Sequence, residues 1–219
     1  MSRVMIVIGL VGKIAAGKST VARHLAARGA HCIDADAIAH EVLAEPEIRA
    51  AIAARFGPDV LDAEGLVRRP AIAERVFGPE ASHAEALAEL EAIVHPRVHR
   101  RIAAALEAFR SAEPAPGLAE PVVVLDVPLL RRAGWADACD YVVTVTCDDG
   151  VRRARLAARG MSREQQAARE ASWQGRENKT AAATGAEDPA KKTFAVDTSG
   201  DLEYTRRQVE RIWQDVSRR

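Results

Sequence analysis

The chain has 219 residues, 48% of them hydrophobic, which is enough for one α/β domain with its own core plus insertions too small to fold alone. Lysine plus arginine and aspartate plus glutamate each number 31, so the net charge is zero and nothing suggests the sequence-independent grip on nucleic acid that excess basic charge provides. Cys32, Cys139 and Cys147 form an odd, widely spaced set without C-x-x-C spacing, which fits neither a disulfide framework nor a zinc site and reads as reduced cytosolic thiols.

The run Val4 to Leu10 is apolar and β-branched. It is too short for a signal-peptide core, leads straight into a glycine loop and lacks a small-residue cleavage pattern, so it reads as a buried strand. No apolar stretch reaches the roughly 18 to 20 residues that span a bilayer, so a soluble, cytoplasmic protein without a membrane partner is expected. After the glycine turn, Ser19 to Arg28 places Val21, Leu25 and Arg28 at helical spacing, and Gly29 suits the helix end. His31 to Ile33 is a second, short strand. From Ala37 to about Phe109 the chain is rich in Ala, Glu, Arg and Leu with helical periodicity, broken at Pro46, Gly57-Pro58, Pro70 and Gly78-Pro79. Ser111 to Pro121 has no periodicity and three prolines, the marks of a surface connection.

Two further apolar runs, Val122 to Leu125 and Tyr141 to Val145, are separated by other sequence in the way of strands in a parallel sheet. Asp149 to about Lys192 is dense in Arg, Ala, Glu and Lys, and its end, from Lys179, has few large apolar residues, so a mobile segment is expected. Leu202 to Val216 closes the chain as an amphipathic helix carrying Val209, Ile212, Trp213 and Val216. The expected architecture is a three-layer α/β P-loop fold with a parallel sheet. Its nucleotide-binding core takes 1–36, 116–150 and 193–219, with a helical acceptor-binding insertion at 37–115 and a lid at 151–192.

The chemistry starts at Gly12, Lys13, Ile14, Ala15, Ala16, Gly17, Lys18 and Ser19, which satisfy G-x-x-x-x-G-K-[ST] between a buried strand and a helix. Backbone N–H groups of such a loop, continued by Thr20, point at phosphates, Lys18 adds a point charge, and the Ser19 hydroxyl can ligate Mg²⁺. Asp34 and Asp36 point the same way if the strand continues through them, facing the phosphate site. Asp36 can then accept a proton from an attacking hydroxyl or hold Mg²⁺ through water; Asp34 alone suits a helix cap equally well. Asp126, ending the Val122 to Leu125 strand, has the form of a metal-supporting carboxylate, or of a turn cap. Arg152, Arg155 and Arg159 fall on one helical face, which suits a lid over the transferring phosphoryl group or a solvated surface. His95, Arg97, His99, Arg100 and Arg101 form a basic helix suited to an acidic substrate group or to solvent. His24, His31, His40 and His83 show no metal-ligand spacing.

The blocks G-L-V-G-K-I-A-A-G-K-S-T-V-A, I-D-A-D-A-I-A-H-E-V, R-F-G-P-D-V-L-D-A-E-G, L-E-A-I-V-H-P, V-L-D-V-P-L-L and V-D-T-S-G resemble the successive motifs of the dephospho-CoA kinase family, in order and across nearly the whole chain. The D-A-D and H-P blocks are the particular ones. The resemblance implies transfer of phosphate from ATP to the ribose 3′-hydroxyl of dephospho-CoA, the last step of coenzyme A synthesis. It makes Asp36 the base, Lys18 and Ser19 the phosphate and magnesium residues, His95 and Arg97 part of the acceptor site, and Arg155 and Arg159 part of the lid. Departures are specific. Lys13 and Ala15 stand where the family keeps loop glycines, Arg131-Arg132 follow Pro128-Leu129-Leu130, a glutamine is usual near Trp173, the lid segment Gln174 to Lys192 looks longer, and Thr198 replaces a common asparagine. Two other readings remain at this point: a P-loop kinase of nucleosides or nucleoside monophosphates, and a nucleotide-binding paralogue without turnover.

Overall fold

The structure, a computed structural model, describes residues 5–78, 80–127, 130, 133–163, 166–167, 170 and 192–218. It divides into two compact units, Met1–Asp34 with Glu107–Arg219, and Ala35–Leu106. The expected features at Val4, at Pro128-Leu129 and Arg131-Arg132, at Trp173 and along the lid segment 171–191 lie outside the described residues.

The first unit is built on strands β1 (Ile6–Val11), β2 (His31–Asp34), β3 (Val122–Asp126), β4 (Tyr141–Thr146) and β5 (Lys192–Asp197), in the spatial order β2-β3-β1-β4-β5. All four pairings are parallel. Parallel pairing demands crossovers that cover both faces, which is why β1 and β3 are apolar at nearly every position instead of alternating. On one face Ile6, Ile8, Leu10, Val122, Val124, Tyr141 and Val143 pack with Val21 and Leu25 of α1 (Lys18–Ala26). Val209, Ile212, Trp213 and Val216 of the C-terminal helix Leu202–Ser217 join the same cluster. On the other face Gly9 leaves room for its neighbours: a Cβ there would lie 2.4 Å from Leu130 Cδ2 and 2.8 Å from Cys139 Sγ. The fold is therefore the expected three-layer α/β arrangement. Strand β5 was not foreseen, because a largely exposed edge strand reading Lys-Thr-Phe-Ala-Val-Asp offers little apolar signal.

The second unit is helical: α2 (Ala35–Leu43), α3 (Pro46–Phe56), α4 (Arg69–Val76) and most of α5 (Ala81–Arg110). Its own core gathers Val42, Ile52, Val60, Ile72, Val76 and Val94. Pro46 and Pro70 sit in the first turns of α3 and α4, where a missing N–H costs nothing. Pro96 lies inside α5, which nonetheless runs 30 residues. Helix α6 (Asp149–Ala158) follows β4, and the closing helix Leu202–Ser217 is α7.

Leu25 is fully buried between α1 and the sheet. Leu25→Ala should cost about 2–5 kcal/mol. It should be seen as a lower urea midpoint at unchanged slope; an unchanged midpoint would contradict this packing.

Candidate functional site

Parallel strands deliver their C-terminal ends to one edge of the sheet, and the chemically interesting residues of the first unit collect there. β1 ends at Val11 and the chain enters the loop Gly12 to Gly17 before α1 begins at Lys18. Gly12 passes so close to β4 that a Cβ would lie 2.4 Å from the Val145 carbonyl oxygen, so only glycine fits. Gly17, at φ 98, is the left-handed residue that opens α1. No side chain caps this helix and its first turn holds no acid. An uncapped N-terminus presents N–H groups and the positive end of the helix dipole, the requirement for holding a phosphate. Lys18 Nζ folds back to 3.4 Å from the Gly12 carbonyl oxygen, which keeps its charge on the loop.

Ala15, in a position where glycine was expected from the resemblance, has φ 59, the only positive value among the described non-glycine residues. An L-residue in that region carries about 1–2 kcal/mol of strain. The surrounding contacts therefore hold the loop in shape. Ala16 N–H donates to the Lys13 carbonyl at 3.1 Å. Arg155 Nη1 lies 3.5 Å from the Ala15 carbonyl oxygen, and Thr198 Oγ1 lies 2.6 Å from that of Ala16. Lys13 turns to Glu170, at 3.7 Å.

The arginines of α6 separate into three environments. Arg152 is buried and paired with Asp149 at 3.0 Å and Glu170 at 2.5 Å. Its guanidinium, helped by Lys13, holds the Asp149 carboxyl below the usual carboxylate range. This corrects the expectation that Arg152 shares a lid face with the others: α6 turns that position inward, where a charge persists only with partners. Arg155 is half-buried and donates to Thr198 through both the hydroxyl, at 2.9 Å, and the carbonyl, at 2.6 Å. Arg159 is exposed at the C-terminal cap of α6.

Asp34 and Asp126 are register partners at the ends of the paired strands β2 and β3. Adjacent strands run about 4.8 Å apart, so the two carboxylates leave the same edge side by side. Asp126 is also in register with Leu10, two residues before the loop. The premise that the β2 strand continues through Asp36 does not hold. The strand ends at Asp34, and Asp36 sits in the first turn of α2, where the helix dipole favours an acid.

In the helical unit His95 is exposed on α5, while Arg97 and Arg101 of α5 both bond Glu45. Burial alone would raise the Glu45 carboxyl pKa, but the hydrogen bonds from Arg101 and Arg97 outweigh it and hold the group below the usual range. Sequence reading did not find Glu45, because 52 residues separate it from Arg97 and no local pattern links them. Among the described residues, no cluster of His, Cys, Asp and Glu forms a metal site, and no helix is long and apolar enough to cross a membrane.

A family model for dephospho-CoA kinase matches residues 6–188. A dephospho-CoA kinase of Moorella thermoacetica is 41% identical over 98% of this chain and 93% of its own. One of Thermobifida fusca is 40% identical over 98% of both. The chain belongs to the dephospho-CoA kinase family. Among solved structures, TT1252 from Thermus thermophilus superposes with a TM-score of 0.70 at 31% identity, over 96% of this chain and 97% of that one. A dephospho-CoA kinase from Campylobacter jejuni, at 20% identity and a TM-score of 0.63 over 98% and 99%, shares the fold. The Gly12 to Thr20 loop, Asp34, Asp36, Asp126, Arg155 and Thr198 thus belong to a member of a kinase family.

The turn from β5 into α7 carries a pH test. Asp197 accepts from the Ser199 hydroxyl at 2.5 Å and backbone N–H at 3.0 Å, and these bonds hold its carboxyl below the usual range. A lowered folded-state pKa gives stability that is full above the unfolded value of about 3.9 and lost as the pH falls through the lower folded value. The difference in melting temperature between the native chain and Ser199→Ala should therefore narrow as the pH drops below about 4. A difference that stays constant on acidification contradicts the assignment.

Proposed function

We propose that this member of the family transfers the γ-phosphoryl group of ATP to the ribose 3′-hydroxyl of dephospho-CoA, giving coenzyme A and ADP, the last step of coenzyme A synthesis, in the cytoplasm. The observation that carries the ATP half is the uncapped N-terminus of α1 behind a glycine loop, with Lys18 folded onto it. The family supplies the acceptor.

In this reading the loop Gly12 to Thr20 is the phosphate grip, its donors being the amides that are not used internally, as those of Ala16 and Thr20 are, and Lys18 draws charge from the transferring group. Asp36 takes the proton of the 3′-hydroxyl as its oxygen attacks phosphorus in line and ADP departs. Its support is the chain itself: Asp36 lies two residues beyond β2, within ~7 Å of chain reach from the edge that carries Asp34 and Asp126. Oxygen donors suit Mg²⁺, and the exposed Ser19 hydroxyl with Asp126, or Asp36 through water, would hold it. When bound, the ion neutralises phosphate charge. Asp34, His95 and Arg97 are assigned to the acceptor, Arg97 exchanging Glu45 for an anionic group of the substrate. Arg155 serves substrate binding, and the exposed Arg159 serves the charge on the transferring phosphoryl group.

A coupled ADP-release assay with dephospho-CoA, adenosine and nucleoside monophosphates tests this. Turnover should require dephospho-CoA, and Asp36→Asn should lower it by about 10²–10⁴-fold while ADP binding persists. Turnover on nucleosides or their monophosphates alone would replace the acceptor. ATP binding without turnover on any acceptor would make the chain a binding protein, and an undiminished Asp36→Asn would remove the base assignment.

A further inference from the structure

Thr198 is buried although it is polar, so its hydroxyl has to find partners within the protein. Its hydroxyl lies 2.6 Å from the Ala16 carbonyl oxygen and 3.3 Å from that of Thr146. A threonine has one hydroxyl hydrogen, and the shorter distance gives it to Ala16. The oxygen's lone pairs then accept from Arg155 Nη1 at 2.9 Å. The Thr198 carbonyl accepts from Arg155 Nη2 at 2.6 Å, and its N–H donates to the Thr146 carbonyl at 2.9 Å. Gly17 presses on the same side chain: a Cβ at residue 17 would stand 2.9 Å from Thr198 Oγ1 and 3.1 Å from Cγ2. A residue 182 positions away in sequence is thus locked to the Ala16–Gly17 peptide.

That peptide is trans, and in a planar trans peptide the C=O and N–H point in opposite directions. Fixing the Ala16 carbonyl toward Thr198 therefore fixes the Gly17 N–H away from it. The neighbouring Ala16 N–H is already engaged by Lys13, so the Gly17 amide opens the run of donors that continues into the uncapped first turn of α1. The need for outside support is real, because Ala15 at φ 59 makes the loop pay for its shape.

We propose that Thr198 is a positioning residue for phosphate binding: through its hydroxyl, held by Arg155, it aims the Gly17 N–H at the bound nucleotide's phosphate chain. This rests on the reading of Gly12 to Thr20 as the phosphate grip. It assigns Thr198 a role in holding the phosphates.

The test measures ADP and AMP affinity by calorimetry, and the KM for ATP, in the native chain, Thr198→Val, Thr198→Ser and Lys18→Ala. Losing one hydrogen bond's guidance of the amide should weaken ADP about tenfold in Thr198→Val. AMP should change far less, the KM for ATP should rise with little change in kcat, and Thr198→Ser, which keeps the hydroxyl, should restore ADP binding. If Thr198→Val does not fold, Thr198→Ala replaces it with the same expectations. Equal weakening of ADP and AMP, or a lowered melting temperature with unchanged ADP affinity, overturns the proposal. If Lys18→Ala weakens ADP and Thr198→Val does not, the phosphate grip stands and the role of Thr198 falls. A native chain that binds no ADP overturns the phosphate grip and this proposal with it.

Discussion

Parallel strand pairing is the constraint on which the rest of this molecule depends. Because β2, β3, β1, β4 and β5 all run the same way, every strand end at one edge is a place where the chain must turn back across the sheet. The turn after β1 becomes the glycine loop, β2 and β3 leave Asp34 and Asp126 side by side, and β5 leads into the Thr198 turn. None of these segments is adjacent in sequence. The two buried faces supply the stability that lets the edge carry strained and charged groups.

Charge at this edge is handled by pairing. Arg152 is buried, and Asp149 and Glu170 share its guanidinium. Arg155 directs its donors to the Thr198 hydroxyl and carbonyl, the Ala15 carbonyl and the Cys147 sulfur. In the helical unit Arg97 and Arg101 converge on Glu45. A guanidinium with several planar donors suits such shared roles better than an ammonium would, since it can bridge two acceptors without moving.

What could be read from sequence follows the range over which each cause acts. The loop, α1 and the buried strands β1, β3 and β4 are local patterns, and G-x-x-x-x-G-K-S names its own context. Whether Asp34 and Asp36 share a face depends on where β2 ends, which the pattern leaves open: period-two reasoning there assumes a strand, while Ala-Asp-Ala-Ile-Ala begins a helix just as readily. Edge strand β5 was missed for want of apolar residues. The fates of Arg152, Arg155 and Arg97 were not legible, since a helical wheel shows which residues share a face but not what the face meets. Thr198 stood out only as a departure; its partners come from β4, α6 and the loop, at separations that no motif spans.

Ala15 carries a consequence for how such a loop can diverge. A glycine in a left-handed conformation is tolerant, since its backbone needs no neighbour to justify it. An alanine at φ 59 makes that conformation conditional on Arg155 and Thr198, which touch the carbonyls of Ala15 and Ala16. Residues in one such network do not contribute independently. Alanine at position 15 thus couples the tolerance of positions 15, 155 and 198: a substitution at either of the other two removes a contact that this backbone needs and a glycine would not.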